Sequence, residues 1–156
     1  MRTAKVEDVN YRLLAAQAEG LLSGHRNRIS NAANLSALIF QALPEVNWVG
    51  FYFEVSGVLM LGPFQGNPAC VEIEIGAGVC GTAAQSGASQ RVDDVHAFEG
   101  HIACDTASEA ELVVPLFKNG RLLGVLDIDS PRRGRFSAAD EAGVTRLAEI
   151  YLDSID

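Results

Sequence analysis

Three cysteines, Cys70, Cys80 and Cys104, stand in a chain of 156 residues that has three histidines. A thiolate is both nucleophile and metal ligand, so the chemistry open to them is attack on an electrophile, disulfide exchange or metal binding. No two of them form the Cys-x-x-Cys couplet of zinc ribbons and thioredoxin-like sites, which disfavours metal, and no metal or other cofactor is expected. His101, close before Cys104, is the imidazole placed to join a ligand set or take a thiol proton, although a loop histidine is more often simply solvated. An odd set of three reads as free thiols or a transient, functional disulfide rather than as a scaffold.

The three differ in setting. Cys80 lies where Gly76-Ala77-Gly78 leads into a helical stretch, and unpaired amides with the helix dipole at such a place favour the thiolate. The competing reading is a small buried apolar side chain. Cys104 falls in an aperiodic run, Gly100-His101-Ile102-Ala103-Cys104-Asp105, where a packing role is less expected. Cys70 follows Asn67-Pro68-Ala69 at the start of a strand, where it can swing with the preceding loop or stand as a half-exposed spectator. Carboxyls supply the second kind of chemistry. Asp127 and Asp129 share one strand face while Leu126 and Ile128 take the other, and Glu111 opens the partner strand. Three carboxyls can thus converge, and one kept protonated by burial or repulsion can act as a general acid. By the same parity Trp48 and Tyr52 share a face, suited either to a core or to the wall of a small-ligand pocket.

The elements that must position these residues are legible in outline. Apolar residues at helical spacing from Val6 through Leu13, Leu14, Leu21 and Leu22, and again from Ile29 to Phe40 before Pro44, predict two N-terminal helices. Val46–Phe53 and Val58–Leu61 read as strands around Ser56-Gly57, and Val71, Ile73 and Ile75 alternate with Glu72 and Glu74 as a half-buried strand. A short helix at Cys80–Gln85, a strand at Gln90–Val92 and an aperiodic interval from Asp93 to Glu109 follow. Glu111–Phe117 and Arg121–Asp129 form a hairpin about Asn119-Gly120, and Ser137 with Asp140 caps a last helix with an apolar face of Val144, Leu147, Ile150 and Tyr151. The expected fold class is α+β, a single domain over 1–156 with a central antiparallel sheet of five or six strands and the N- and C-terminal helices packed on one face.

Hydrophobic residues at 48% and charged residues at 21% describe an ordinary globular chain. A formal charge of −8 repels nucleic acid and anionic membrane, so neither is an expected partner. Met1–Glu19 carries charges throughout and has no apolar run, so a cytoplasmic location is expected. The terminal helices also offer faces that a C₂ dimer would pair.

Five motifs, Asn47-Trp48-Val49-Gly50-Phe51-Tyr52, Gly62-Pro63-Phe64-Gln65-Gly66, Gly78-Val79-Cys80-Gly81-Thr82-Ala83, Gly100 to Asp105 and Gly124-Val125-Leu126-Asp127-Ile128-Asp129-Ser130, closely resemble those of the free methionine-(R)-sulfoxide reductases, which are GAF-domain enzymes. The resemblance implies a GAF fold, a homodimer, free methionine-(R)-sulfoxide as substrate and thioredoxin as recycling reductant. It makes Cys104 the nucleophile, with Glu111 the first choice for protonating the departing oxygen. Cys80 and Cys70 are both candidates for the thiol that condenses with the resulting sulfenic acid; Cys80 is the expected partner and Cys70 the relay to thioredoxin. The reverse order, with Cys80 attacking and Cys104 resolving, is also open. Asp127 and Asp129 would hold the substrate amino group or assist protonation, and Trp48 and Tyr52 would shape the pocket. The competing reading is a GAF sensor that binds a small molecule or reports oxidation without turnover.

Overall fold

A computed structural model describes residues 8–100 and 107–156. Two helices, α1 (Tyr11–Leu22) and α2 (Arg28–Ala42), precede the strands β1 (Trp48–Val55), β2 (Val58–Gly66) and β3 (Glu72–Glu74). After them come α3 (Gly78–Ser86), β4 (Gln90–Val92), a single 3₁₀ turn at Val95–Ala97, the hairpin β5 (Ala110–Lys118) and β6 (Arg121–Ser130), and finally α4 (Ala138–Ser154). The six strands form one sheet in the order β3-β2-β1-β6-β5-β4, with every neighbouring pair antiparallel. This is the α+β arrangement expected, with six strands.

Local chemistry fixes the ends of these elements. The side chains of Asn10, Asn27 and Ser137 accept from backbone N–H groups in the first turns of α1, α2 and α4, and Ser137 with Asp140 completes a reciprocal capping box. Asn119 and Gly120 both adopt positive φ, 52° and 76°, which is what a two-residue type I′ turn between β5 and β6 requires.

Strand parity divides the apolar residues into two cores. Val49, Phe51 and Phe53 of β1, Leu126 and Ile128 of β6, and Leu112, Val114 and Leu116 of β5 pack against α1, α2 and α4. The opposite face, with Trp48, Tyr52, Leu59, Val113 and Val125, packs against α3. The terminal helices therefore cover one face and leave the other to α3 and to a cleft.

Several sequence expectations shift. In α1 the buried stripe is Leu14, Ala18 and Leu22, and the helix starts at Tyr11, whereas Leu13 and Leu21, like Ile29 of α2, face outward. β2 runs through the Gly62-Pro63 pair to Gly66 instead of stopping at Leu61. Only Ile73 of the Val71–Ile75 alternation is fully buried, because β3 is a three-residue edge strand, and Val71 is 59% exposed. The interval 93–109 is tied down at its ends: Val95 N–H donates to the Glu109 carbonyl and Gly134 N–H to that of Asp93. Among the described residues no helix is long and apolar enough to cross a membrane.

Candidate active site

Register brings the carboxyls together. Gly50 of β1 lies opposite Asp127 of β6, Trp48 opposite Asp129, and on the other side of β6 Asp129 faces Glu111 of β5. Directly opposed residues share a sheet face, so Trp48, Gly50, Tyr52, Glu111, Asp127 and Asp129 all point toward α3. Gly50 has a steric reason to be glycine. A Cβ there would fall 2.6 Å from the Trp48 ring and 2.4 Å from the Phe64 Cβ, so the missing side chain is what lets the indole lie flat across the sheet. Trp48 stacks on Phe64 at 5.3 Å and on Tyr52 at 5.9 Å between centroids.

These residues line a cleft of about 530 Å³, counted to its open mouth. Trp48 and Tyr52 form one wall, Ala77–Cys80 at the start of α3 another, and Glu111, Asp127, Asp129 and Ser108 the floor, with Pro68 and Ala69 at the rim. The rim is pinned by the aromatic wall: Trp48 Nε1–H donates to the Asn67 carbonyl at 3.1 Å and the Tyr52 hydroxyl to the Cys70 carbonyl at 3.0 Å. No Lys, Arg or His lines the cleft among the described residues.

The floor holds acid groups out of water without a cation. Burial, then the neighbouring Asp127, pushes the Glu111 carboxyl well above the usual carboxylate range. Asp127 is raised to about 8, first by burial and next by the Asp129 charge. Asp127 is therefore an acid that keeps its proton near neutrality, and Glu111 is shifted in the same direction. Asp127 Oδ1 and the Ser108 hydroxyl are buried with no hydrogen-bond partner among the described residues, so the floor presents unmet polar atoms to whatever enters.

Cys80 is the third residue of α3, and its thiol donates to Glu111 Oε2 at 3.8 Å. The sequence expectation that the helix start favours its thiolate fails on the electrostatics. Burial, followed by the charges of Asp127, Glu111 and Asp129, pushes the thiol well above its ordinary value and outweighs the dipole. The expected pairing also shifts: Cys70 is disulfide-bonded and Cys80 is a free thiol. Cys104 and His101 lie outside the described residues.

Sequence reasoning did not single out Ser108, and it read the unpaired amides at the start of α3 only as favouring the Cys80 thiolate. The first three N–H groups of that helix have no intrahelical partner, and no side chain caps them. Ala77, an apolar residue at a position where Ser, Thr, Asp or Asn is usual, was the available signal. Among the described residues two groups have metal-ligating atoms within 4.8 Å of one another, Cys80 with Glu111 and Asp127, and Asp94 with His96 and Glu109. In the second, Arg133 already engages Asp94 and the members are more exposed.

Comparison with known proteins places this arrangement. Residues 32–156 match the GAF domain family. The free methionine-R-sulfoxide reductase of Escherichia coli is 50% identical over 81% of this chain and 77% of its own. The Staphylococcus aureus fRMsr in complex with its substrate is 44% identical and superimposes with a TM-score of 0.93 over 98% of this chain and 100% of its own. The corresponding enzyme of Neisseria meningitidis, also with its substrate, is 38% identical with a TM-score of 0.91 over 99% of this chain and 93% of its own. A chain that shares this much sequence and nearly all of this fold belongs to the GAF family, in the branch of the free methionine-R-sulfoxide reductases.

Proposed function

We propose that the chain reduces the R epimer of free methionine sulfoxide to methionine through its cysteines. The observation that carries this reading is the pair of buried carboxyls with raised proton affinity, Glu111 and Asp127, on the floor of an aromatic-walled cleft whose rim, Pro68 and Ala69, leads directly into the disulfide-bonded Cys70. A sulfoxide oxygen leaves only as it is protonated, and a thiol cannot supply that proton while attacking as thiolate.

In this reading the substrate enters with its methyl group against Trp48 and its sulfoxide oxygen toward Glu111. The half-buried Asp129 receives the ammonium, and the uncapped amides of α3 suit the carboxylate, as helix N-termini suit anions. Both ends of a free amino acid are then used, which a residue inside a peptide does not offer.

Cys104, as thiolate, attacks the sulfoxide sulfur, and Glu111, assisted by Asp127, gives its proton to the oxygen. This forms an S–S bond from Cys104 to the substrate sulfur, which now carries a hydroxyl. The hydroxyl then passes to Cys104 Sγ as the S–O and S–S bonds break, the S–S electron pair goes to the substrate sulfur, and methionine leaves with Cys104 as a sulfenic acid. Attack by a second thiol expels that oxygen as water and forms a disulfide. Cys70 is the better resolving residue, because it is the cysteine that takes part in a disulfide while Cys80 stays free and hard to ionise. Thioredoxin, by exchange at Cys70, restores both thiols. A homodimer in the cytoplasm is the accompanying expectation.

The test is a single turnover without external reductant. Reduced protein should release close to one methionine per chain, Cys104→Ser none, and Cys70→Ser one together with a sulfenic acid that dimedone traps on Cys104. Release of methionine by Cys104→Ser, with loss of release in Cys80→Ser, would transfer the nucleophile to Cys80.

A further inference from the structure

If Cys104 and Cys70 form the redox pair, Cys80 is a buried thiol to which the reaction gives no role. Its Sγ and one oxygen each of Glu111 and Asp127 lie within 4.8 Å of one another. We propose that these three side chains form a binding site for a thiophilic divalent cation of the zinc class, and that this cation and the pocket ligand exclude one another.

Geometry carries the first half. A tetrahedral zinc with Zn–S of about 2.3 Å and Zn–O of about 2.1 Å has an S···O edge of about 3.6 Å. The edge from Cys80 Sγ to Glu111 Oε2 is 3.8 Å. Independently, Asp127 is 5% exposed and its Oδ1 has no hydrogen-bond partner among the described residues, so the third ligating side chain already holds a carboxyl oxygen that is stripped of water and unengaged. The three come from α3, β5 and β6, elements locked by helix packing and strand pairing, so the ligand set is preformed. The cleft supplies the fourth position for water, and among the described residues no cationic side chain lines it to compete with a metal. Three ligands and an open position are the usual form of a reactive or exchangeable zinc site.

The second half rests on the proposed function, because Glu111 and Asp127 are the residues assigned there to the sulfoxide end of the substrate. A cation that engages both leaves no room for that end of the ligand.

Titrating Co²⁺ into the oxidised protein tests the site, since Cys80 is then the free thiol. One Co²⁺ per chain should bind with a near-ultraviolet thiolate charge-transfer band and the visible bands of tetrahedral cobalt, and Zn²⁺ should bleach them. Cys80→Ser should lose the charge-transfer band, and Asp127→Asn should weaken binding at least about tenfold, with thermal melts establishing that each variant is folded. An absent band, a band retained in folded Cys80→Ser, or unchanged affinity in folded Asp127→Asn would overturn the site. L-Methionine should raise the apparent dissociation constant for Co²⁺ in proportion to its own occupancy. Methionine that binds without moving the cobalt titration overturns the exclusion; methionine that does not bind, with the cobalt bands intact, sinks the reading of the pocket and leaves the metal site standing.

Discussion

Asp127→Asn should make the protein more stable and nearly inactive. In the fold Asp127 titrates at about 8, against 3.8 in an unfolded chain. Between those values the native state holds a proton that the unfolded state has released, so stability falls as pH rises, by about 1.4 kcal/mol per unit for this group. The penalty is about 1.6 kcal/mol at pH 5 and about 4 kcal/mol at pH 7, and it levels off above the folded value. Asparagine has the shape of the protonated acid and no proton to lose, so it removes a penalty of this kind. Glu111 shares the buried charge and takes over part of the proton uptake, so about half of the ceiling, near 2 kcal/mol at pH 7, is the expected gain. Urea unfolding of both proteins at pH 5 and pH 8, with equal m-values, measures it. The stabilisation should be small at pH 5 and larger at pH 8. An equal difference at both pH values, or a less stable variant at pH 8, would refute the claim that Asp127 is held protonated by burial and by Asp129.

Other predictions follow from the same contacts. The Glu111 and Asp127 pair must be protonated to release the sulfoxide oxygen, so kcat/KM should fall on the alkaline side near the Asp127 value of about 8, and that limb should move in Asp127→Asn. Gly50→Ala forces a methyl group into the Trp48 ring and the Phe64 Cβ and should cost about 1–3 kcal/mol in stability, with a higher KM because the aromatic wall tilts. Asp140 accepts from the Tyr11 hydroxyl at 2.6 Å, Ser137 N–H at 2.8 Å and the buried Arg135 at 3.0 Å. Asp140→Ala strands that guanidinium and removes the α4 capping box, so thermal unfolding should show a loss of about 3–5 kcal/mol. Burial pushes the Asp140 carboxyl up, but these donors hold it below the usual range, so its contribution is present at neutral pH and is lost as pH falls into the acid range.

What the sequence disclosed was whatever depends on parity and on local turn chemistry. The alternation of Leu126, Asp127, Ile128 and Asp129 fixes which face each takes, and Asn119-Gly120 closes the hairpin, but the register that puts Glu111 opposite Asp129 instead of Ile128 comes from a bulge between Leu116 and Phe117 that no residue pattern announced. Residues whose surroundings come from distant segments were not legible. The ionisation of Cys80 is opposed first by burial and then by carboxyls delivered from β5 and β6, which together overturn the effect of its own helix. Ser108 lies in an aperiodic run, and nothing nearby marks it as facing the cleft. Val71 keeps strand parity with Ile73 yet is exposed, because sequence cannot say that β3 is a short edge strand. The continuation of β2 past Gly62-Pro63 was hidden because that pair resembles a terminator, although hydrogen bonding to β1 carries the strand on to Gly66.

Oxidation of NADPH coupled through thioredoxin reductase and thioredoxin, measured with free L-methionine-(R)-sulfoxide, its S epimer and a methionine-sulfoxide peptide, addresses the reductase assignment most directly. Turnover of the free R epimer alone is the expected result, with the other two at background. Tight binding of the R epimer without turnover would contradict the assignment, and comparable turnover of the peptide would contradict a pocket that holds both ends of a free amino acid.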